Sequence, residues 1–254
     1  LDDSELRSLV GKTIQVILID YTPTQNELKS VIDGMKESAD IDKLVENERY
    51  IGCHRYLFDL EQFQVINNSI DVFPKTRLDV ELDKNDSITS SVPPHFGKYI
   101  SELANFDDDL KYFLIQHTAV LLTSNRKLRR GLIFYGTANN GKSVYIKLMR
   151  SFFYRQDVVS KTLNELGGRF DKESLIGKRL MASDEIGKAR IDEKTVNDFK
   201  KLLSVEPIHV DRKGRAQVEV TLDLKLLFNT NAVLNFPPEH AKALERRIAV
   251  IPCN

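Results

Sequence analysis

LIFYGTANNGKSV, residues 132–144, decides the fold. Its first four residues form a short apolar run that suits a buried strand, and apolar positions after Ser143 return at helical spacing. Between the two lies Gly136-Thr137-Ala138-Asn139-Asn140-Gly141-Lys142-Ser143, which satisfies G-x-x-x-x-G-K-[ST] at every position. The glycines let the backbone curl close to a polyphosphate with no Cβ in the way. The curled amides point inward, and the following helix presents its positive end. Lys142 is then placed for the β- and γ-phosphates and Ser143 for Mg²⁺. A preceding strand and a following helix are the context this pattern requires. A phosphate-binding loop is therefore expected over these eight residues, with ATP and Mg²⁺ as its ligands.

Downstream, strands and helices alternate. A helix is expected over 144–154, with Val144, Leu148, Met149, Phe152 and Phe153 inward. Residues 179–183 read as a second strand. Asp192 suits the cap of a helix whose inner positions include Val196, Phe199, Leu202 and Leu203. Residues 222–229 and 247–251 read as third and fourth strands. This order predicts an α/β domain with a largely parallel sheet covered by helices. The second strand runs into Asp184 and Glu185. Side by side at a strand end they would repel if buried without a cation, so Asp184 is the expected Mg²⁺ ligand and Glu185 the expected general base. The third strand ends in Asn229-Thr230-Asn231. Asn231, projecting from the tip, is preferred over Asn229 as the residue that orients the water or touches the γ-phosphate. Arg246 and Arg247 precede the last strand, and a guanidinium from there, or from a neighbouring subunit, would stabilise charge on the transferred phosphoryl group.

Upstream, residues 1–95 are mixed and rich in turn signals. They hold one buried-strand candidate at 16–20 and a loosely alternating stretch at 59–73, and KNDSITSSVPP at 84–94 is the linker candidate. Residues 96–128 read as helical: Phe96, Tyr99, Ile100 and Leu103 share a face, and Asp107, Asp108 and Asp109 suit the cap and first turn of a second helix. Arg126, Lys127, Arg129 and Arg130 close that stretch with cations, which suit a helix C-terminus or a nucleotide or nucleic-acid contact. The 254-residue chain has 37 basic and 37 acidic side chains, so nucleic acid would have to be met by a local basic surface. With two cysteines there is no disulfide framework, which fits an intracellular setting. No apolar run is long enough to span a membrane.

Together, LIFYGTANNGKSV, GKRLMASDE (177–185), KLLSVEPIHVDRKGR (201–215), LLFNTN (226–231) and ERRIAVIP (245–252) resemble, in order, the motifs of the superfamily 3 helicases, most nearly the poxvirus-, phage- and plasmid-type primase-helicases. The resemblance covers 129–254 well and about 56–124 more weakly. It implies an AAA+-like P-loop ATPase core with the Asn231 strand lying between the phosphate-loop and acidic-pair strands. It also implies a ring, usually a hexamer, with ATP between subunits and either Arg246 or Arg247 as an arginine finger, Arg246 preferred. Between acidic pair and sensor the family places a hairpin that grips single-stranded DNA. Here 208–210 and 218–222 alternate like paired strands around a basic turn, and Arg212, Lys213 and Arg215 would contact phosphates, with His209 beside them.

The resulting expectation is an ATP-dependent DNA helicase of viral, phage or plasmid replication, moving on single-stranded DNA at a replication fork. No primase or polymerase signature occurs in residues 1–130. The alternative is a P-loop ATPase that remodels protein or acts as a signalling switch without nucleic acid. A non-enzymatic module with a relic nucleotide site is disfavoured by the intact Lys142, Asp184 and Glu185.

Overall fold

The computed structural model describes residues 46–68, 72–83, 92–124, 130–168, 170–186, 191–232 and 236–253. The strand candidate at 16–20, most of the linker candidate, and Arg126, Lys127 and Arg129 lie outside them. Residues 47–254 form one compact unit.

Four short strands come first: β1 (Glu46–Cys53), β2 (Tyr56–Asp59), β3 (Gln64–Asn67) and β4 (Phe73–Leu78), in the order β3-β2-β1-β4. β1 with β2 and β2 with β3 are antiparallel. Two helices follow, α1 (Pro94–Leu103) and α2 (Asp108–Leu121). The Asp107 carboxylate caps α2 by accepting the Leu110 N–H, and Asp108 and Asp109 fill its first turn as expected.

The main sheet has five strands, all parallel: β5 (Gly131–Gly136), β6 (Val158–Val159), β7 (Leu180–Ser183), β10 (Lys225–Thr230) and β11 (Ile248–Cys253), in the order β11-β5-β10-β7-β6. The expected placement of the asparagine strand between the phosphate-loop and acidic-pair strands is therefore observed. Helix α3 (Lys142–Ser151) follows β5, α4 (Glu193–Ser204) follows β7, and α5 (Pro238–Glu245) precedes β11. β8 (Pro207–Val210) and β9 (Val218–Thr221) form a separate antiparallel hairpin.

β5 is apolar throughout because both its faces are covered, the usual state of a parallel strand. Leu132 and Phe134 join Leu227, Ile251 and the α3 residues Tyr145, Ile146 and Met149 in one core, which also takes in Ile51, Leu78, Ile100 and Leu114. The first sheet, the two helices and the parallel sheet thus share one apolar core. Ile133, between Leu132 and Phe134, faces the other side with Met181, Phe228 and the α4 residues Val196, Phe199 and Leu202. Phe199 meets Phe228 edge-on at 6.2 Å, and Phe134 meets Tyr145 at 4.8 Å. Each such fully buried side chain contributes about 1.5–3 kcal/mol.

α4 is capped by Asp192 through the Thr195 N–H and buries all four positions expected of it. α3 departs from expectation. Val144 is 55% exposed, and the inner face carries Lys142, Tyr145, Ile146 and Met149. The helix begins at Lys142 and its phase is set by Tyr145 against Phe134, which turns Val144 to the surface. Leu148 and Phe152 are only partly buried. The third strand starts at Lys225, not at Leu222, and runs through Thr230.

Candidate functional site

The phosphate-loop sequence occupies the turn from β5 into α3. Gly136 lies against β11 so closely that a Cβ there would fall 1.7 Å from the Cys253 carbonyl oxygen. Gly141, at φ +87°, caps α3 in a conformation only glycine adopts without strain. Asn139 is also left-handed, at φ +66°, which asparagine tolerates better than most side chains. Thr137, Ala138 and Asn139 are exposed and Asn140 is half-buried.

Lys142 is only 5% exposed. Its ammonium donates to the Gly136 carbonyl at 2.9 Å, to the Asn140 Oδ1 at 2.8 Å and to the Thr137 carbonyl. The lysine is thus folded into its own loop, with its three donors spent on loop acceptors. Asn140 Nδ2 in turn donates to the Cys253 carbonyl at 2.6 Å. From α1, the Tyr99 hydroxyl donates to the Gly141 carbonyl at 3.0 Å, and burial pushes that phenol well above its usual range. Sequence reasoning placed Tyr99 only on the apolar face of a helix. Its polar tip is what a buried tyrosine must satisfy, and that is the one sequence-level hint of the contact.

The acidic pair lies at the end of β7. Ser183 is buried, and Asp184 and Glu185 are exposed. The strand register aligns Phe228 with Ser183, so Asn229 comes abreast of Asp184. Asn229 is 2% exposed. Its Nδ2 donates to Asp184 Oδ1 at 3.3 Å and lies 3.4 Å from Ser143 Oγ. One amide thereby joins the hydroxyl after the loop lysine to the first carboxylate of the acidic pair. Asn231, preferred from sequence, is exposed beyond the strand, next to a turn in which Thr230 Oγ1 bonds to the Ala232 main chain. Asn229, not Asn231, is the residue brought to Ser143 and Asp184. The reason is that β10 extends through Thr230 while β7 stops at Ser183, which puts Asn231 past the sheet.

The arginines have separate surroundings. Arg247 Nε donates to Ser204 Oγ and Nη1 to the Ala243 carbonyl, both at 2.8 Å, and its own carbonyl accepts the Gly131 N–H. It fastens α4 and α5 to the start of β5 within this chain. Arg246, the C-cap of α5, is exposed.

The β8–β9 hairpin pairs Val210 with Val218 across a turn that holds Gly214 at φ +70°. Ile208 and Val210 are buried and His209 is exposed. At the tip, Lys213 and Arg215 are exposed. Arg212 Nε donates to the Ala216 carbonyl at 3.2 Å and so braces the turn, while the Lys213 main-chain N–H donates to Glu173 at 3.2 Å.

Ser143 Oγ and Asp184 Oδ1 are hard oxygen donors flanking a single nitrogen. Among the described residues no cluster of three or more His, Cys, Asp or Glu is placed to hold an ion. One or two protein oxygens completed by substrate phosphates and water are what Mg²⁺ ordinarily uses, so the pair fits that ion and does not resemble a self-sufficient metal cage.

Fold and site define an α/β protein whose five-stranded, all-parallel sheet is consistent with a P-loop-like core. The family of unknown function DUF5906 matches residues 134–247, from within β5 to the residue before β11. No curated protein matches the chain. Among solved structures, the A-form apo structure of the NrS-1 C terminal region is similar at 20% identity and a TM-score of 0.52, over 65% of this chain and 39% of that one. A further apo structure of the NrS-1 C terminal region is similar at 16% identity and a TM-score of 0.52, over 81% of this chain and 58% of that one. The chain spans less than two thirds of those structures, and at this identity the likeness is one of fold. Among the described residues no helix is long and apolar enough to cross a membrane.

Proposed function

We propose that this chain is the ATP-hydrolysing core of a superfamily 3, AAA+-like DNA helicase that works as a ring, a hexamer in the family it resembles, on single-stranded DNA in viral, phage or plasmid replication. The observation that carries the reading is Asn229, whose amide joins Ser143 of the phosphate loop to Asp184 of the acidic pair. Two sequence motifs far apart in the chain thereby meet at the C-terminal ends of β5 and β7, on either side of β10, where α/β sheets bind ligands.

In this reading the loop amides and Lys142 hold the β- and γ-phosphates of ATP. Ser143 and Asp184 would hold Mg²⁺, which neutralises charge on the phosphate oxygens when bound. Glu185, exposed at the strand end, orients the attacking water and accepts its proton as the water oxygen bonds to the γ-phosphorus and the bond from that phosphorus to the departing ADP breaks. Asn229 positions these groups. Arg246 reaches into a neighbouring subunit's site as the arginine finger, a role favoured for it because Arg247 is engaged within its own chain. Lys213 and Arg215 at the hairpin tip meet DNA phosphates, with Arg212 bracing the turn behind them.

Phosphate release from ATP and Mg²⁺, with and without single-stranded DNA, tests the proposal on the assembled full-length protein. Wild type should turn over and be stimulated by DNA, and Lys142→Ala should lose turnover by at least about 100-fold. Turnover indifferent to single-stranded DNA, together with no DNA binding at low salt, would leave the ATPase and remove the helicase. Lys142→Ala retaining full turnover would remove both.

A further inference from the structure

We propose that Asn140 is a positioning residue that ties the Lys142 ammonium to the end of β11, so that phosphate binding at Lys142 releases the Cys253 end of that strand. The inference rests on the phosphate-loop reading and extends it to a part of the fold that the loop motif does not specify.

Asn140 occupies a position at which the motif permits any residue, yet both ends of its amide are used. Oδ1 accepts from Lys142 Nζ at 2.8 Å and Nδ2 donates to the Cys253 carbonyl at 2.6 Å. That carbonyl also abuts Gly136, which is in register with Cys253, so the first and fifth residues of the loop enclose it. β11 therefore ends inside the phosphate loop and begins immediately after Arg246 and Arg247. A triphosphate competes for the ammonium, because an anionic phosphate oxygen adds to the hydrogen bond a charge–charge attraction that the neutral Asn140 amide oxygen lacks. Once the ammonium turns to phosphate, Asn140 Oδ1 loses its partner and the orientation of the amide toward Cys253 is no longer fixed from both sides. The state of one nucleotide site is thereby communicated along the strand whose other end carries the arginine assigned to the neighbouring site.

Cys253 is its own reporter. It is 1% exposed, and burial pushes its thiol up to about 11, so it should react slowly with a thiol reagent. The only other cysteine of these 254 residues is Cys53, and Cys53→Ala leaves a single thiol among them. In that background, a non-hydrolysable ATP analogue with Mg²⁺ should speed Cys253 modification by Ellman's reagent at least threefold. Adding Asn140→Ala should make modification fast without nucleotide and insensitive to it. Asn140→Asp should also expose Cys253, since a carboxylate cannot donate to its carbonyl. That carboxylate should hold Lys142 more strongly and raise the KM for ATP about tenfold, whereas Asn140→Ala should not raise it. A merely structural role would move KM alike in both variants. Unchanged Cys253 reactivity in Asn140→Ala without nucleotide would overturn the tie. Tight binding of the analogue with no change in reactivity would overturn the release. A labelled nucleotide that fails to bind at all would instead overturn the phosphate-loop reading, while the nucleotide-free comparison still decides the tie. Should Cys53→Ala fail to fold, hydrogen exchange of the β11 amides in the unmutated protein, with and without analogue, gives the same decision.

Discussion

Replacing Asn229 by alanine, with Asn231→Ala as its partner, separates the structural assignment from the sequence expectation. Asn229 Nδ2 lies 3.3 Å from Asp184 Oδ1 and 3.4 Å from Ser143 Oγ, distances at the long end for an amide donor. Both acceptors belong to exposed residues, so on losing the amide they rehydrate and are not left as buried orphans. The stability cost is therefore that of a modest net hydrogen bond, about 0.5–1.5 kcal/mol. It is offset in part because Asn229 Oδ1 is itself buried with no partner among the described residues. For a domain of this size that cost amounts to a fall in Tm of a few degrees, roughly 2–4 °C per kcal/mol. The effect on turnover should be larger. A partner that orients metal ligands is worth about 10- to 100-fold in activity. Asn231 is exposed beyond the end of β10, so its truncation should change stability by less than about 0.5 kcal/mol and turnover by less than about twofold. Phosphate release at saturating ATP and Mg²⁺, with a melting curve for each variant, decides between them. Loss of activity in Asn231→Ala with activity kept in Asn229→Ala would refute the reasoning from strand register.

Other expectations follow from the same geometry. Arg247→Ala should lower stability by about 1–2 kcal/mol because bonds to Ser204 and to the Ala243 carbonyl are lost, whereas Arg246→Ala should leave the urea midpoint unchanged and reduce turnover in the assembled ring only. Lys213→Ala should weaken single-stranded DNA binding alike across sequences and reduce the dependence of log affinity on log salt by about 0.7, with basal ATP turnover intact; a salt slope equal to wild type would remove the residue from the interface. Acid should destabilise the protein in two windows, followed by urea titration. Burial pushes His117 down to about 4, with a partly opposing contribution from the Arg130 backbone, so the unfolded chain takes the proton first and stability falls from about pH 6.5 to 4, by about 3 kcal/mol in all. His117→Leu should flatten that window. The Arg49 guanidinium, with the Gln62 and Glu61 N–H groups, holds Asp59 at about 2. Its contribution is present above the ordinary carboxylate range and lost as pH falls from about 4 to 2, a loss that Asp59→Asn should remove from the profile.

What the sequence determined by itself was whatever is encoded locally. The loop pattern from Gly136 to Ser143 is legible because its residues are adjacent: two glycines, one of them at φ +87°, and a lysine and hydroxyl at the start of a helix. The Asp107 and Asp192 caps are legible for the same reason, as is the inner face of α4, where Val196, Phe199, Leu202 and Leu203 recur at helical spacing. The tertiary structure alone decided what depends on where one strand stops beside another. Asparagines two residues apart share one face of a strand, so side-chain alternation cannot choose between Asn229 and Asn231. Which of them lies against Ser143 and Asp184 follows from β10 outrunning β7 beside it. Likewise, Val144 is apolar and in helical register with a real core, but the angle at which α3 settles on β5 is fixed by Tyr145 against Phe134, and that left Val144 outside. The hydrogen bonds from Tyr99 and Asn140 span 42 and 113 residues. Contacts at such separations arise only when the whole core has closed, because they are set by packing between elements and not by the preferences of any one of them.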